Sequence, residues 1–221
     1  MALPKLETPT YSLKVPSTGQ TVNYRPYLVK EEKILLMAME SEDEQQMIRA
    51  IQDVVNACTN NTIDMDHIAM SDMEYIFTQL RAKSVGETST IKVKCQHCEA
   101  SNEIDVNLEN VRVNVPEFDT KIVKLTGSVS VSLRYPSVDA MVQSQECDSK
   151  SDVHGDEVFD AKEQSYDDLK EFIESLNTQQ FNQIREFIDT IPAATIDADF
   201  MCVSCGEHNQ FEVRGLGNFF G

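Results

Sequence analysis

Apolar and polar positions alternate with a period of two from residue 9 to residue 27. Tyr11, Leu13 and Val15 precede the turn signal Pro16-Ser17-Thr18-Gly19, and Val22, Tyr24 and Pro26 follow it. This pattern predicts a β-hairpin. Between residues 29 and 83 the period lengthens to that of helices, in three pieces. Val29 to Ser41 contains the block Ile34-Leu35-Leu36-Met37-Ala38-Met39, apolar on nearly every side, which predicts a buried helix. Ser41 with Glu44, and Ser71 with Glu74, have capping-box spacing. The first introduces Met47, Ile51, Val54, Val55 and Cys58 at helical spacing; the second introduces Met73, Ile76, Phe77 and Leu80, with the helix ending near Gly86.

Period two returns at Thr88. Thr90 to Val93 leads into Cys95, and Ile104, Val106 and Leu108 lead away from Cys98, so a strand, a Cys turn and a return strand are expected. Ile122 to Leu125, a Thr126-Gly127 turn, and the alternating Val129, Val131 and Leu133 predict a further hairpin, and a short helix holding Val138, Met141 and Val142 should follow Pro136. Twelve acids against three lysines between Asp139 and Glu174 mark residues 146–164 as a mobile acidic linker. Two helices, at about Tyr166 to Leu176 and Gln179 to Thr190, flank Asn177-Thr178, a connection that fits only an αα-hairpin. Leu169, Phe172, Ile173 and Leu176 line one face of this pair, and Phe181, Ile184, Phe187, Ile188 and Ile191 the other, before Pro192 stops it. The chain then gives a strand into Cys202, a second Cys turn and a return strand at Phe211 to Val213.

The fold class expected is α+β. Residues 1–87 form an amino-terminal hairpin and helical region, residues 88–108 with 195–221 a split four-cysteine zinc ribbon, and residues 109–194 an inserted β plus αα-hairpin module.

Composition narrows the function. The chain has 221 residues, 41% of them apolar, enough for a real core. Its 19 Lys and Arg against 37 Asp and Glu give a formal charge of −18, which repels nucleic-acid backbones and anionic lipid surfaces. The first half has no apolar run near the roughly 20 residues of a bilayer span, and the amino end lacks the basic and apolar regions of a secretory signal. A reducing cytoplasm is expected, where six cysteines are not a disulfide framework.

Their spacing says what four of them are. Cys95-Gln96-His97-Cys98 and Cys202-Val203-Ser204-Cys205 each sit at a strand-to-strand turn and present two thiolates from one knuckle; two knuckles make a tetrahedral structural Zn2+ site. The following segments also correspond, Cys98-x-x-x-Asn102-Glu103-Ile104-Asp105-Val106 against Cys205-x-x-x-Asn209-Gln210-Phe211-Glu212-Val213, as two halves of one ribbon separated by 103 residues. A redox C-x-x-C opens a helix after a βα unit, whereas these lie between strands. His97 and His208 stand close enough in sequence to replace a ligand, while Cys58 and Cys147 have no paired spacing and are expected as a core and a surface thiol. Asp148, Asp152 and Asp156 lack the glycine and terminal Glu of a Ca2+ loop, and Met37, Met39, Met47, Met65, Met70 and Met73 are expected as core packing. Phosphate-loop, dinucleotide, nucleophile-elbow and zinc-protease motifs are absent.

Several stretches together resemble one family. They are Leu3-Pro4-Lys5-Leu6 with Thr8-Pro9-Thr10-Tyr11, the turn Pro16-Ser17-Thr18-Gly19, the run Tyr24 to Leu36 (YRPYLVKEEKILL), and Leu80-Arg81-Ala82-Lys83-Ser84-Val85-Gly86-Glu87, with the C-x-x-C pairs and the terminal Phe219-Phe220. The chain is similar to the baseplate hub and hub-assembly proteins of T-even-type contractile-tailed bacteriophages. The resemblance implies a non-enzymatic hub subunit or hub-assembly factor. Its partners would be other phage baseplate hub proteins, not nucleic acid or membrane, and its oligomeric state is left open. It would work in the host cytoplasm during assembly or in the virion tail baseplate. Arg25, Arg81 and Lys83 stand out in a chain poor in base; they either pair with the surplus carboxylates or form a docking patch, and Phe219 and Phe220 either anchor in a partner or pack back on the ribbon. The rival readings are a zinc- or thiol-dependent enzyme and, weaker on charge, a nucleic-acid-binding zinc ribbon.

Overall fold

The computed structural model describes residues 7–41, 43–65, 68–115, 120–127, 129–135, 137–138, 152–154, 158–159 and 165–215. It is a mixed helix and sheet protein in two compact units: Met1–Asn114 with Ala193–Gly221, and Val115–Pro192.

The first unit opens with the hairpin β1 (Tyr11–Lys14) and β2 (Thr21–Tyr24), paired Leu13↔Val22, whose buried Leu13, Val15, Val22 and Tyr24 follow the alternation in the sequence. Three helices follow, α1 (Val29–Glu40), α2 (Glu44–Cys58) and α3 (Met70–Ser84), with α1 against α2 and α2 against α3. Val54, Val55 and Cys58 of α2 and Met73, Ile76 and Leu80 of α3 are fully buried and form the core of this unit's helical layer.

Two helix starts differ from expectation. Asp43, not Ser41, caps α2, its carboxylate accepting from the Gln45 and Gln46 N–H groups at 2.9 and 3.2 Å, while Ser41 closes α1. Asp43 stands one residue before the helix and has the shorter reach to its first turn. At α3 the flanking residue is Ala69, with no side-chain cap; Glu74 instead accepts the Ala194 N–H at 2.9 Å. A carboxylate used to hold a strand is not free to cap a helix. A third expectation fails in α1, which is not buried all round. It buries Glu31, Leu35 and Ala38 and leaves Ile34, Leu36, Met37 and Met39 exposed, because a helix with one packing neighbour can hide only one face. Met73 is buried as expected of the methionines, whereas Met37 and Met39 face outward.

After α3 come the hairpin β3 (Thr88–Lys94) and β4 (Ser101–Asn107), a 3-10 turn at Leu108–Asn110, and β5 (Arg112–Val113). The chain leaves this unit after β5 and returns as β10 (Ala194–Met201), which pairs with β5 at Val113↔Ala194 and with β11 (His208–Arg214) along its length. Departure and return are therefore neighbours in one three-stranded sheet, ordered β11-β10-β5. An insertion between two paired strands leaves the surrounding sheet intact.

The second unit holds β6 (Thr120–Lys124), β7 (Ser130–Arg134), β8 (Asp152–His154) and β9 (Val158–Phe159) in one antiparallel sheet, with α4 (Tyr166–Glu174) and α5 (Thr178–Ile188). Val123, Leu125, Val131, Leu133 and Phe187 make its core, joined by Phe172, Leu176 and Ile184; Tyr135 stacks on Phe187 at 4.9 Å. Ser165 and Asn177 cap the two helices. Phe181, Ile188 and Ile173 are exposed, so the αα-hairpin uses fewer apolar positions than its sequence offers. Within the expected acidic linker 146–164, residues 152–154 and 158–159 form strands; β7 has an open edge whose backbone groups β8 takes, and side-chain charge does not enter that pairing. The remainder of that stretch, with Cys147, Met141 and Val142, lies outside the described residues.

Candidate metal centre

Each Cys turn is built by its own backbone. In the first, the Glu99 N–H donates to the Cys95 carbonyl at 3.0 Å and the Cys95 N–H to the Ala100 carbonyl at 2.9 Å; in the second, the Gly206 N–H donates to Cys202 and the Cys202 N–H to Glu207 at the same two distances. Both turns need a left-handed residue directly after their second cysteine, Glu99 (φ 59°) in one and Gly206 (φ 74°) in the other. The turn points both thiols of a pair off one side of the hairpin, and the pairing β3–β4 or β10–β11 holds it rigid.

The two knuckles meet. The sulfurs of Cys95, Cys98, Cys202 and Cys205 all lie within 4.8 Å of one another, with Cys95 to Cys205 and Cys98 to Cys202 each 3.7 Å apart. A disulfide needs about 2.05 Å, so these are free thiols. Four thiolates around a metal at about 2.3 Å stand about 3.8 Å apart along each tetrahedral edge, and the two short separations match that edge. The donor set, four soft thiolates in tetrahedral reach, suits zinc or iron and leaves no open coordination position.

Two asparagines that the sequence showed only as matching positions, with no role assigned, cross-link the knuckles. Asn102, on the strand after the first turn, accepts the Val203 N–H of the other knuckle at 2.9 Å and donates to Cys202 Sγ at 3.6 Å. Asn209, on the strand after the second, accepts the Gln96 N–H at 2.8 Å and donates to Cys95 Sγ at 3.4 Å. Each amide also donates to its own turn, to Ala100 and Glu207, and both side chains are buried. Every polar atom of the two amides is thus used, in a pattern related by a local twofold. The signal was present in the sequence, since both residues stand four places after the second cysteine of their pair.

Amide donors also set the thiol acidities. The Cys205 and Ser204 N–H groups hold the Cys202 thiol down to about 6, and the His97 and Cys98 N–H groups, together with Asn209, hold Cys95 below its usual value against the desolvation that opposes them. Cys205 receives the Glu207 N–H, yet desolvation and its thiol neighbours push it up to about 12. Without a cation, one ionised sulfur suppresses the ionisation of the others.

The remaining expected site residues lie elsewhere. His208 Nε2 is 2.7 Å from Asp199 Oδ1 and His97 is exposed, its backbone rather than its ring meeting Cys95. Cys58 is a fully buried thiol pushed up to about 11 by desolvation, with Arg25 Nη1 at 3.6 Å. Arg25 reaches Glu31 Oε1 at 2.9 Å, and Lys83 pairs with Glu87 and Glu109 with its ammonium 5.8 Å from the Tyr11 ring centre, so these two cations are engaged within the chain. Arg81 is half-buried on α3, and Phe219 and Phe220 lie outside the described residues. A groove of about 470 Å³ runs beside β4 and β10, lined among others by Asp105, Arg112, Asp197 and Asp199. Arg112 grips Asp197 at 2.6 and 2.8 Å and Glu212 at 2.9 Å, and this holds the Asp197 carboxyl below the usual carboxylate range.

No helix among the described residues is long and apolar enough to cross a membrane. Comparison with curated proteins and with solved structures gives no match. Comparison with protein families does: the family model described as T4 bacteriophage base plate protein matches residues 8–221, nearly the whole chain including both knuckles, and the chain belongs to that family.

Proposed function

We propose that this chain is a non-enzymatic component of a phage tail baseplate, a hub subunit or hub-assembly factor acting through contacts with other baseplate proteins, whose working shape is closed by one structural zinc on Cys95, Cys98, Cys202 and Cys205. The convergence of four sulfurs from sequence positions about a hundred residues apart carries the reading. Four thiolates complete the coordination of zinc, so the metal has no position for a substrate or a reactive water. When bound it supplies cross-linking and charge neutralisation; Asn102 and Asn209 orient the two knuckles toward it and stabilise thiolate on Cys202 and Cys95. In the groove beside β4 and β10, Arg112 pairs with Asp197 and holds that carboxyl below the usual carboxylate range, which does not suit it to exchange a proton near neutrality.

Metal analysis of protein purified without chelator tests the site: one equivalent of zinc per chain is expected, and less than about half an equivalent, or iron in its place, overturns the assignment. Mass spectrometry of purified virions separates the two roles, since a hub subunit stays in the finished tail and an assembly factor does not. Failure of phage lacking this protein to complete baseplates is expected in either case, and normal tails without it would overturn the assembly role.

A further inference from the structure

Helix α1 carries an exposed face with apolar side chains that the described residues leave open. Residues 29, 33, 36 and 40 recur at spacings of four, three and four, the seam of a helix that packs against another helix. This seam lies opposite the face that buries Glu31, Leu35 and Ala38, and it reads Val29, Lys33, Leu36 and Glu40, with Met37 beside it. Val29 is 68% exposed, Leu36 53% and Met37 71%. Ile34 and Met39 are also exposed, at the two edges of the buried face. Leu28, just before the helix, and Val85 are exposed as well, and the chain neighbours of these two are tied together where the Tyr27 N–H donates to Ser84 Oγ at 3.0 Å. Apolar side chains grouped in this way on a chain of such high charge mark a binding surface.

The order of charges along the seam says what binds there. Lys33 stands in the amino half and Glu40 at the carboxy end, and among the described residues neither joins an ion pair within the chain. In an antiparallel pair of α1 helices related by a twofold through the midpoint of Leu36 and Met37, Leu36 meets the partner's Met37 and Lys33 meets the partner's Glu40, twice over. A parallel pair would set Lys33 on Lys33 and Glu40 on Glu40. We propose that the outer face of α1 is an isologous interface between two copies of this chain, paired antiparallel. This goes beyond the baseplate role proposed above and does not depend on the metal. One helix pair gives a small interface, so the association is in the weak class, with a dissociation constant in the micromolar range.

Sedimentation equilibrium on the full chain over a concentration series tests this. Wild type should dimerise reversibly at micromolar concentration. Leu36→Glu with Met37→Glu should remove the dimer at every concentration at which wild type forms it, with the circular dichroism melt and metal content unchanged because both positions are exposed. Lys33→Glu should weaken association by roughly 3- to 10-fold, as should Glu40→Lys, and the double variant Lys33→Glu/Glu40→Lys should return to within about 3-fold of wild type. A wild type that stays monomeric beyond about 100 µM overturns the proposal, as does a dimer that survives the apolar replacements or a double charge reversal that fails to recover.

Discussion

The two cysteine hairpins share one local design and differ in how the fold holds them. Both have the same turn hydrogen bonds, the same crossing asparagine and a left-handed residue in the same place. The β3–β4 hairpin, however, is a sheet of two strands, whereas β10 is the middle strand of three and is gripped at its first residue by Glu74 of the buried α3. A duplicated motif therefore has one firm half and one half that relies more on the shared sulfur cluster. Loss of the cluster should loosen β3–β4 before β10–β11. The second unit, with its own apolar core, should be affected least.

The largest effect expected is from removing a sulfur pair. Cys95→Ser with Cys98→Ser should abolish metal binding, and proteolysis followed by mass spectrometry should find the first cuts between residues 88 and 107, with the described part of 120–188 still resistant. Cys202→Ser with Cys205→Ser should lose the metal equally but leave β10 protected at its start by the Glu74 contact. Equal loosening of both hairpins would remove the distinction drawn here. Cys58→Ser should leave the metal content intact.

Next come the asparagines. Asn102→Ala and Asn209→Ala each strip one accepted N–H, one amide-to-sulfur bond and one turn bond, so each should cost about 1–3 kcal/mol in chemical denaturation. The twofold pattern requires the two costs to be similar. A large effect at one and none at the other would show that the symmetry is geometric only.

Acidity distinguishes the two thiols of the second knuckle in the metal-free protein. Cys202, held down to about 6, should give a thiolate absorbance step near that pH that is lost in Cys202→Ser, whereas Cys205, pushed up to about 12, should stay protonated through neutrality. Because the Cys202 value lies below that of an unfolded thiol, its contribution to stability is present above roughly pH 8.5 and is lost as the pH falls through about 6. The metal-free protein should accordingly unfold more readily at pH 5.5 than at pH 8.

The smallest effects concern the left-handed residue. Glu99→Gly should raise stability by less than about 1 kcal/mol, since relief of the left-handed cost is partly offset by the freedom glycine gains when unfolded. Gly206→Ala meets open space and should cost roughly 1–2 kcal/mol from the backbone alone. A thermal melt in the metal-bound state reads both.

Much of this protein was determined by local sequence. Period-two alternation set the hairpins at residues 11–24 and 88–107, and the second Cys turn with its flanking strands marked the one at 194–214; a β-hairpin needs little more than its strand pattern and turn residues. The Cys spacing named the four sulfurs, because a knuckle is a short-range object whose geometry its own few residues dictate. Three things were decided only by tertiary structure. Glu74 left its capping role because the Ala194 N–H arrived from 120 residues away, and Asn102 and Asn209 became clamps only when the second knuckle stood opposite the first. The apolar run of α1 predicts a buried helix, but a run's hydrophobicity does not say whether the chain supplies enough packing neighbours; among the described residues the fold covers one side of the helix and leaves the other exposed.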